Sequence, residues 1–134
     1  MTSKIENENI HIDQKEIESL KNLINAGKIA DAENRTRKLL TQKPDSKILM
    51  NILGISLINQ NKFDEAIETY LKTIKSNPNY AEAYSNLGNI YFRQGKIDES
   101  IDCFQKAIKN KPDFTKAYNN LGVAYKKKRN LQRL

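Results

Sequence analysis

Three prolines punctuate the chain, Pro44, Pro78 and Pro112, and they stand 34 residues apart, twice over. Gly54, Gly88 and Gly122 keep the same interval. The other two glycines, Gly27 and Gly95, are 68 residues apart with Asn61 midway between them, and Asn is the residue that most readily stands in for Gly in left-handed backbone. One period thus accounts for every strong breaker of regular structure in the sequence. A period of about 20–50 residues is the mark of a stacked repeat array, in which each unit buries its apolar face against its neighbours.

The apolar positions follow the same interval. Met50, Tyr84 and Tyr118 correspond, then Leu53, Leu87 and Leu121, then Leu57, Tyr91 and Tyr125. Within a unit they fall at i, i+3 and i+7, one face of a helix. Phe63, Ala66, Ile67, Tyr70 and Ile74 give a second helical face. Between the two faces, Gly27, Asn61 and Gly95 stand where a residue just past a helix end adopts positive φ. Pro44, Pro78 and Pro112 close the second helix, and Asp45, Asn79 and Asp113 follow as turn or capping residues. The expectation is an all-α chain of helix–turn–helix units spanning 13–46, 47–80 and 81–114, with a partial unit at 115–128. A polar leader over 1–12 and a basic end over 129–134 flank the array.

Residues 81–112, AEAYSNLGNIYFRQGKIDESIDCFQKAIKNKP, resemble the tetratricopeptide repeat through Tyr84, Leu87-Gly88, Tyr91, Gly95, Ser100, Phe104, Ala107 and Pro112. Residues 47–80 match through Met50, Leu53-Gly54, Leu57, Asn61, Ala66, Tyr70 and Pro78, with Thr73 where Ala is usual. The first unit matches only in its second half, and the last only in its first helix. The resemblance implies a right-handed superhelical solenoid of about three and a half repeats, whose first helices line a concave wall that binds a peptide or partner segment. It implies no cofactor and no metal.

The repeat register assigns the wall. The candidate partner-binding residues are Asn51 and Ile55 in the second unit, Asn86, Asn89 and Arg93 in the third, and Lys116, Asn120 and Lys127 in the fourth. Asn86 and Asn120 correspond across one period, and an amide carries both donors and an acceptor for a peptide backbone. The repeat region of O-linked N-acetylglucosamine transferases has a similar asparagine ladder. The family's carboxylate clamp fits poorly: Ser85 occupies the first Lys position, and Ile55 breaks the alternative register. Ile48, Ile52 and Ile55 make the second unit's wall apolar, to be covered by the first unit, by Ile5, Ile10 and Ile12 of the leader, or by a partner. Gly54, Gly88 and Gly122 fall inside helices, where Gly costs about 1 kcal/mol against Ala. That position implies close helix approach, with Ala66 and Ser100 as the expected contacts from the second helix.

Charge and composition exclude several classes. The net charge is +7, but the last twenty residues carry six Lys/Arg and no acid, so the body has an excess of only +1. A nucleic-acid binder spreads basic charge along a face of its fold, so nucleic acid is not expected as a partner. No apolar run approaches the roughly 20 residues of a membrane span, and the start of the chain lacks a secretory core segment; a cytoplasmic protein is expected. One Cys and one His, Cys103 and His11, cannot build a disulfide framework, a zinc site or a catalytic triad. The expected role is a non-catalytic interaction scaffold. The alternative that the resemblance implies is the substrate-recognition arm of a larger glycosyltransferase or sulfotransferase. The last helix, with Leu121, Val123, Ala124 and Tyr125, is expected to offer a surface for self-association.

Overall fold

The structure, a computed structural model, describes residues 13–134; the leader with Ile5, Ile10, His11 and Ile12 lies outside the described residues. Among the described residues there are seven α-helices and no strand: α1 (Gln14–Asn25), α2 (Ile29–Gln42), α3 (Lys47–Asn59), α4 (Phe63–Ser76), α5 (Ala81–Arg93), α6 (Ile97–Asn110) and α7 (Thr115–Gln132). The pairs α1–α2, α3–α4 and α5–α6 are the three hairpins of the repeat, and α7 is the first helix of the fourth unit.

The turns within the hairpins follow from backbone chemistry. Gly27, Asn61 and Gly95 have φ of +79°, +59° and +78°. In each turn the amide one residue on reaches back to the last helical turn, Lys28 N to Leu23 O, Lys62 N to Leu57 O and Lys96 N to Tyr91 O, all at 2.9 Å. These bonds satisfy carbonyls that a helix end leaves unpaired. Between hairpins, each proline and its follower form a two-residue turn. Asp45, Asn79 and Asp113 serve in that turn and not as caps: α3 is capped by Ser46, whose Oγ accepts from Leu49 N at 3.2 Å, while α5 and α7 start at Tyr80 and Phe114 without a side-chain cap.

Each helix packs on the next, and the first helices also pack on one another, α1 on α3, α3 on α5 and α5 on α7. No described helix touches one further along than that, the one-dimensional order of a solenoid. The core is divided accordingly. Ile17, Leu20, Leu49 and Ile52 join the first two units. Leu53, Leu57, Tyr70, Leu87 and Ile90 join the second and third. Ile97, Ile101, Phe104 and Ala124 seat α7. Ile52 is therefore covered by the first unit, whereas Ile48 stays 40% exposed.

The helix-interior glycines do mark close approach, but the contact differs from the expected one. The rings of Tyr70 and Phe104, and not Ala66 and Ser100, lie over Gly54 and Gly88. Ala66 and Ser100 are fully buried near the start of the second helix, one turn away from that crossing. At Gly122 the direction a Cβ would take is open.

Candidate functional site

The wall of first helices distributes the eight candidate residues unequally. Arg93, Lys116 and Lys127 are exposed; Asn51, Ile55, Asn86, Asn89 and Asn120 are half-buried. Three of these amides, Asn51, Asn86 and Asn120, are turned toward the seams between first helices. Asn86 Nδ2 donates to Asn51 Oδ1 at 2.7 Å, and Tyr70 Oη donates to Asn51 O and Oδ1 at 3.2 Å each. Burial pushes the Tyr70 phenol far above its ordinary pKa, so it remains a neutral donor.

The same seam occurs three times with different chemistry. Between α1 and α3 it is apolar, Ile17 against Ile52. Between α3 and α5 it is the Asn51–Asn86 bond with Tyr70 behind it. Between α5 and α7 the corresponding residues are Ser85, Asn120 and Phe104. There, Ser85 Oγ and Asn120 Nδ2 are buried without a hydrogen-bond partner. Serine is shorter than asparagine, and phenylalanine has no hydroxyl, so the third seam lacks two of the groups that complete the second.

The exposed cations have a simple geometry. Arg93 and Lys127 are one period apart and stand in register on neighbouring first helices, Arg93 as the last residue of α5 and Lys127 five residues before the end of α7. Lys116 and Lys127 are eleven positions apart on α7, about 16 Å along one face of the helix. Among the described residues none of the three makes an ion pair or hydrogen bond. Glu82 on α5 is engaged by Lys111 at 3.4 Å, and Glu18 on α1 stands at the register position of Asn86 and Asn120.

Sequence reasoning missed a second cluster, at the junction of α2 with α3 and α4. Glu33 is 8% exposed. It accepts from Arg37 Nε at 2.8 Å, Gln60 Nε2 at 2.7 Å and Lys62 Nζ at 3.2 Å, and Arg37 also reaches Glu65 at 2.6 Å. The Arg37 bond, aided by those from Gln60 and Lys62, outweighs burial and holds the Glu33 carboxyl down at about 2. Glu33 has no acidic counterpart in the later units, where Ile67 and Ile101 stand in its place. That break in the period was the available signal.

On the opposite, convex side a groove of about 560 Å³ opens between α4 and α6, with Leu71, Leu87, Tyr91 and Cys103 among its lining. Cys103 is 6% exposed, and burial, with Asp102 beside it, pushes its thiol up to about 12. A thiolate is the nucleophilic form, and burial disfavours it here. No described helix is long and apolar enough to cross a membrane.

These features agree with comparisons against known proteins. A family model described as TPR repeat matches residues 54–95 and 88–128. MamA, in its crystal structure, is 31% identical over 87% of this chain and 70% of its own, with a TM-score of 0.72. The Sgt2 TPR domain from Aspergillus fumigatus is 16% identical over 89% of this chain and 83% of its own, with a TM-score of 0.81. The first TPR of Spaghetti (RPAP3), bound to the HSP90 peptide SRMEEVD, is 21% identical over 87% of this chain and 96% of its own, with a TM-score of 0.75. No curated protein sequence matches the chain. The family model covers more than half of the sequence and the helical stack reproduces the repeat, so the chain belongs to the tetratricopeptide (TPR) repeat family.

Proposed function

We propose that this TPR array is an interaction scaffold whose concave wall holds an extended, acidic segment of a partner protein. The observation that carries this reading is the pair Arg93 and Lys127, exposed, in register on adjacent helices and without an ion pair among the described residues. Lys116 extends the positive field along α7, while Ile55 on α3 and Asn89 on α5 are half-buried at one register position of the wall. Cations left unpaired on a concave wall attract carboxylates and set the partner's register. Spaghetti's first TPR binds the HSP90 peptide SRMEEVD, which carries three acidic side chains. Here Ser85, at the place of that clamp's lysine, is 1% exposed and offers no grip on a terminal carboxylate. Internal Asp and Glu side chains are the better ligands.

The test is selection from a displayed peptide library on the intact chain, followed by anisotropy titration of the selected peptides. Enrichment in Asp and Glu is expected, with affinity falling at least about tenfold, or 1.4 kcal/mol, in an Arg93→Ala/Lys127→Ala variant. Amidation of the peptide's C-terminus should change little. Selected peptides that bind the double variant equally well would refute the reading, and a strict need for a free C-terminal carboxylate would replace it with the clamp.

A further inference from the structure

Second helices do not pack directly on each other among the described residues, so the convex side carries a groove between each successive pair. Two of these grooves occupy equivalent places in the repeat. One, of about 370 Å³, lies between α2 and α4, and the other, of about 560 Å³, lies between α4 and α6. Both are enclosed by neighbouring hairpins within the stack. A further hairpin would add its second helix on the far side of α6, away from either groove.

The two grooves share a floor, where Leu53 and Leu87 correspond. They also share an acidic edge, Glu65 and Glu68 in the first, Glu99 and Asp102 in the second. The difference lies on the opposite edge. In the first groove Arg37 reaches from α2 to α4 and donates to Glu65 at 2.6 Å, while Glu33 holds the same guanidinium at 2.8 Å. In the second, Leu71 stands in the place of Arg37 and Ile67 in the place of Glu33. Leu71 is 50% exposed. Glu99 is exposed and makes no ion pair or hydrogen bond among the described residues. Asp98 and Asp102 are paired with Lys128 and Lys106, each at 2.9 Å, so Glu99 is the carboxylate of this edge that is left over.

We propose that the groove between α4 and α6 takes an arginine of a partner protein beside a bulky apolar side chain, the guanidinium on Glu99 and the apolar group against Leu71 and Tyr91. The first groove is the precedent, because there the chain itself puts a guanidinium on the corresponding carboxylate. The replacement of Arg37 by Leu71 removes that occupant and leaves apolar surface in its stead. Three acids and one lysine line the groove, so its field favours a cation. Arginine suits both parts of the site, since its fork matches a carboxylate and its stem lies along apolar surface. An acidic segment of the kind proposed for the concave wall is repelled here, so the two sites call for different ligands.

The test titrates the intact chain with the capped dipeptide acetyl-Phe-Arg-amide and follows it by NMR. Weak, saturable shifts are expected at Leu71, Tyr91 and Glu99, with Asn89 and Arg93 unmoved. The analogue with glutamine in place of arginine should bind at least about tenfold more weakly, as should the parent dipeptide with a Glu99→Gln chain. Leu71→Arg restores the guanidinium of the first groove, so this variant should fold with an unchanged or raised melting temperature and no longer bind. The Arg93→Ala/Lys127→Ala chain should bind the dipeptide as the parent does, which separates this site from the concave wall. Absence of saturable shifts, equal binding of the glutamine analogue, or undiminished binding by the Glu99→Gln or Leu71→Arg chain would each overturn the proposal.

Discussion

Gly88 lies beneath the ring of Phe104 so closely that a methyl group on the glycine would come within 2.7 Å of the ring. The glycine has ordinary helical backbone, so it is required by the approach of α6 and not by its own conformational freedom. Val at this position must displace a fully buried ring that also anchors α7. Gly88→Val is expected to lower stability by about 1–3 kcal/mol, whereas Gly122→Val should stay within about 0.5 kcal/mol. Thermal unfolding of both variants beside the parent checks this. Equal melting temperatures for all three would show that the contact does not govern packing.

The seam between α5 and α7 lacks the hydrogen bond that its neighbour has. Ser85→Asn places on α5 the amide that Asn51 supplies on α3, within reach of Asn120. Adding Phe104→Tyr supplies the hydroxyl that Tyr70 contributes. Satisfying a buried polar pair is worth about 1 kcal/mol. The double substitution should therefore raise the midpoint of denaturant unfolding without changing its slope. A lowered midpoint would mean that the seam is too tight for the longer side chain.

Acid should unfold the array partly through Glu33. Its carboxyl sits at about 2 in the folded chain against 4.5 ordinarily. A folded value below the unfolded one means that its contribution is complete above about 4.5 and is lost as pH falls from there through about 2. Arg37 and Lys62 are 41% and 47% exposed, so solvent screening limits the contribution to about 1–2 kcal/mol. Glu33→Gln should melt earlier than the parent at pH 7, and the gap should close as pH drops toward 2. A gap that persists unchanged at low pH would assign the loss to packing.

Cys103 should resist modification. Its thiol is buried and raised to about 12, so little thiolate exists at pH 8. A chromogenic thiol reagent should react only as fast as the chain opens, and fully once denaturant is added. Rapid labelling of the folded protein would show that the convex groove exposes the sulfur.

The sequence alone determined the all-helical hairpin repeat and the turn geometry. These rest on local constraints: positive φ at Gly27, Asn61 and Gly95, the prolines that stop each second helix, and an apolar spacing of 3.6 residues per turn. Register alone also puts Arg93 and Lys127 in line on neighbouring helices. What it could not determine was which side chain meets which across a crossing. The ring over Gly88 comes from Phe104 and not Ser100, because long side chains reach across a helix crossing while the small residue sits one turn away. The pairing of Asn86 with Asn51, the orphaned Ser85 and Asn120, and the four-residue cluster around Glu33 depend on distances of a few ångströms between separate helices. A repeat period fixes position along the stack, and only packing in three dimensions decides which polar groups find partners.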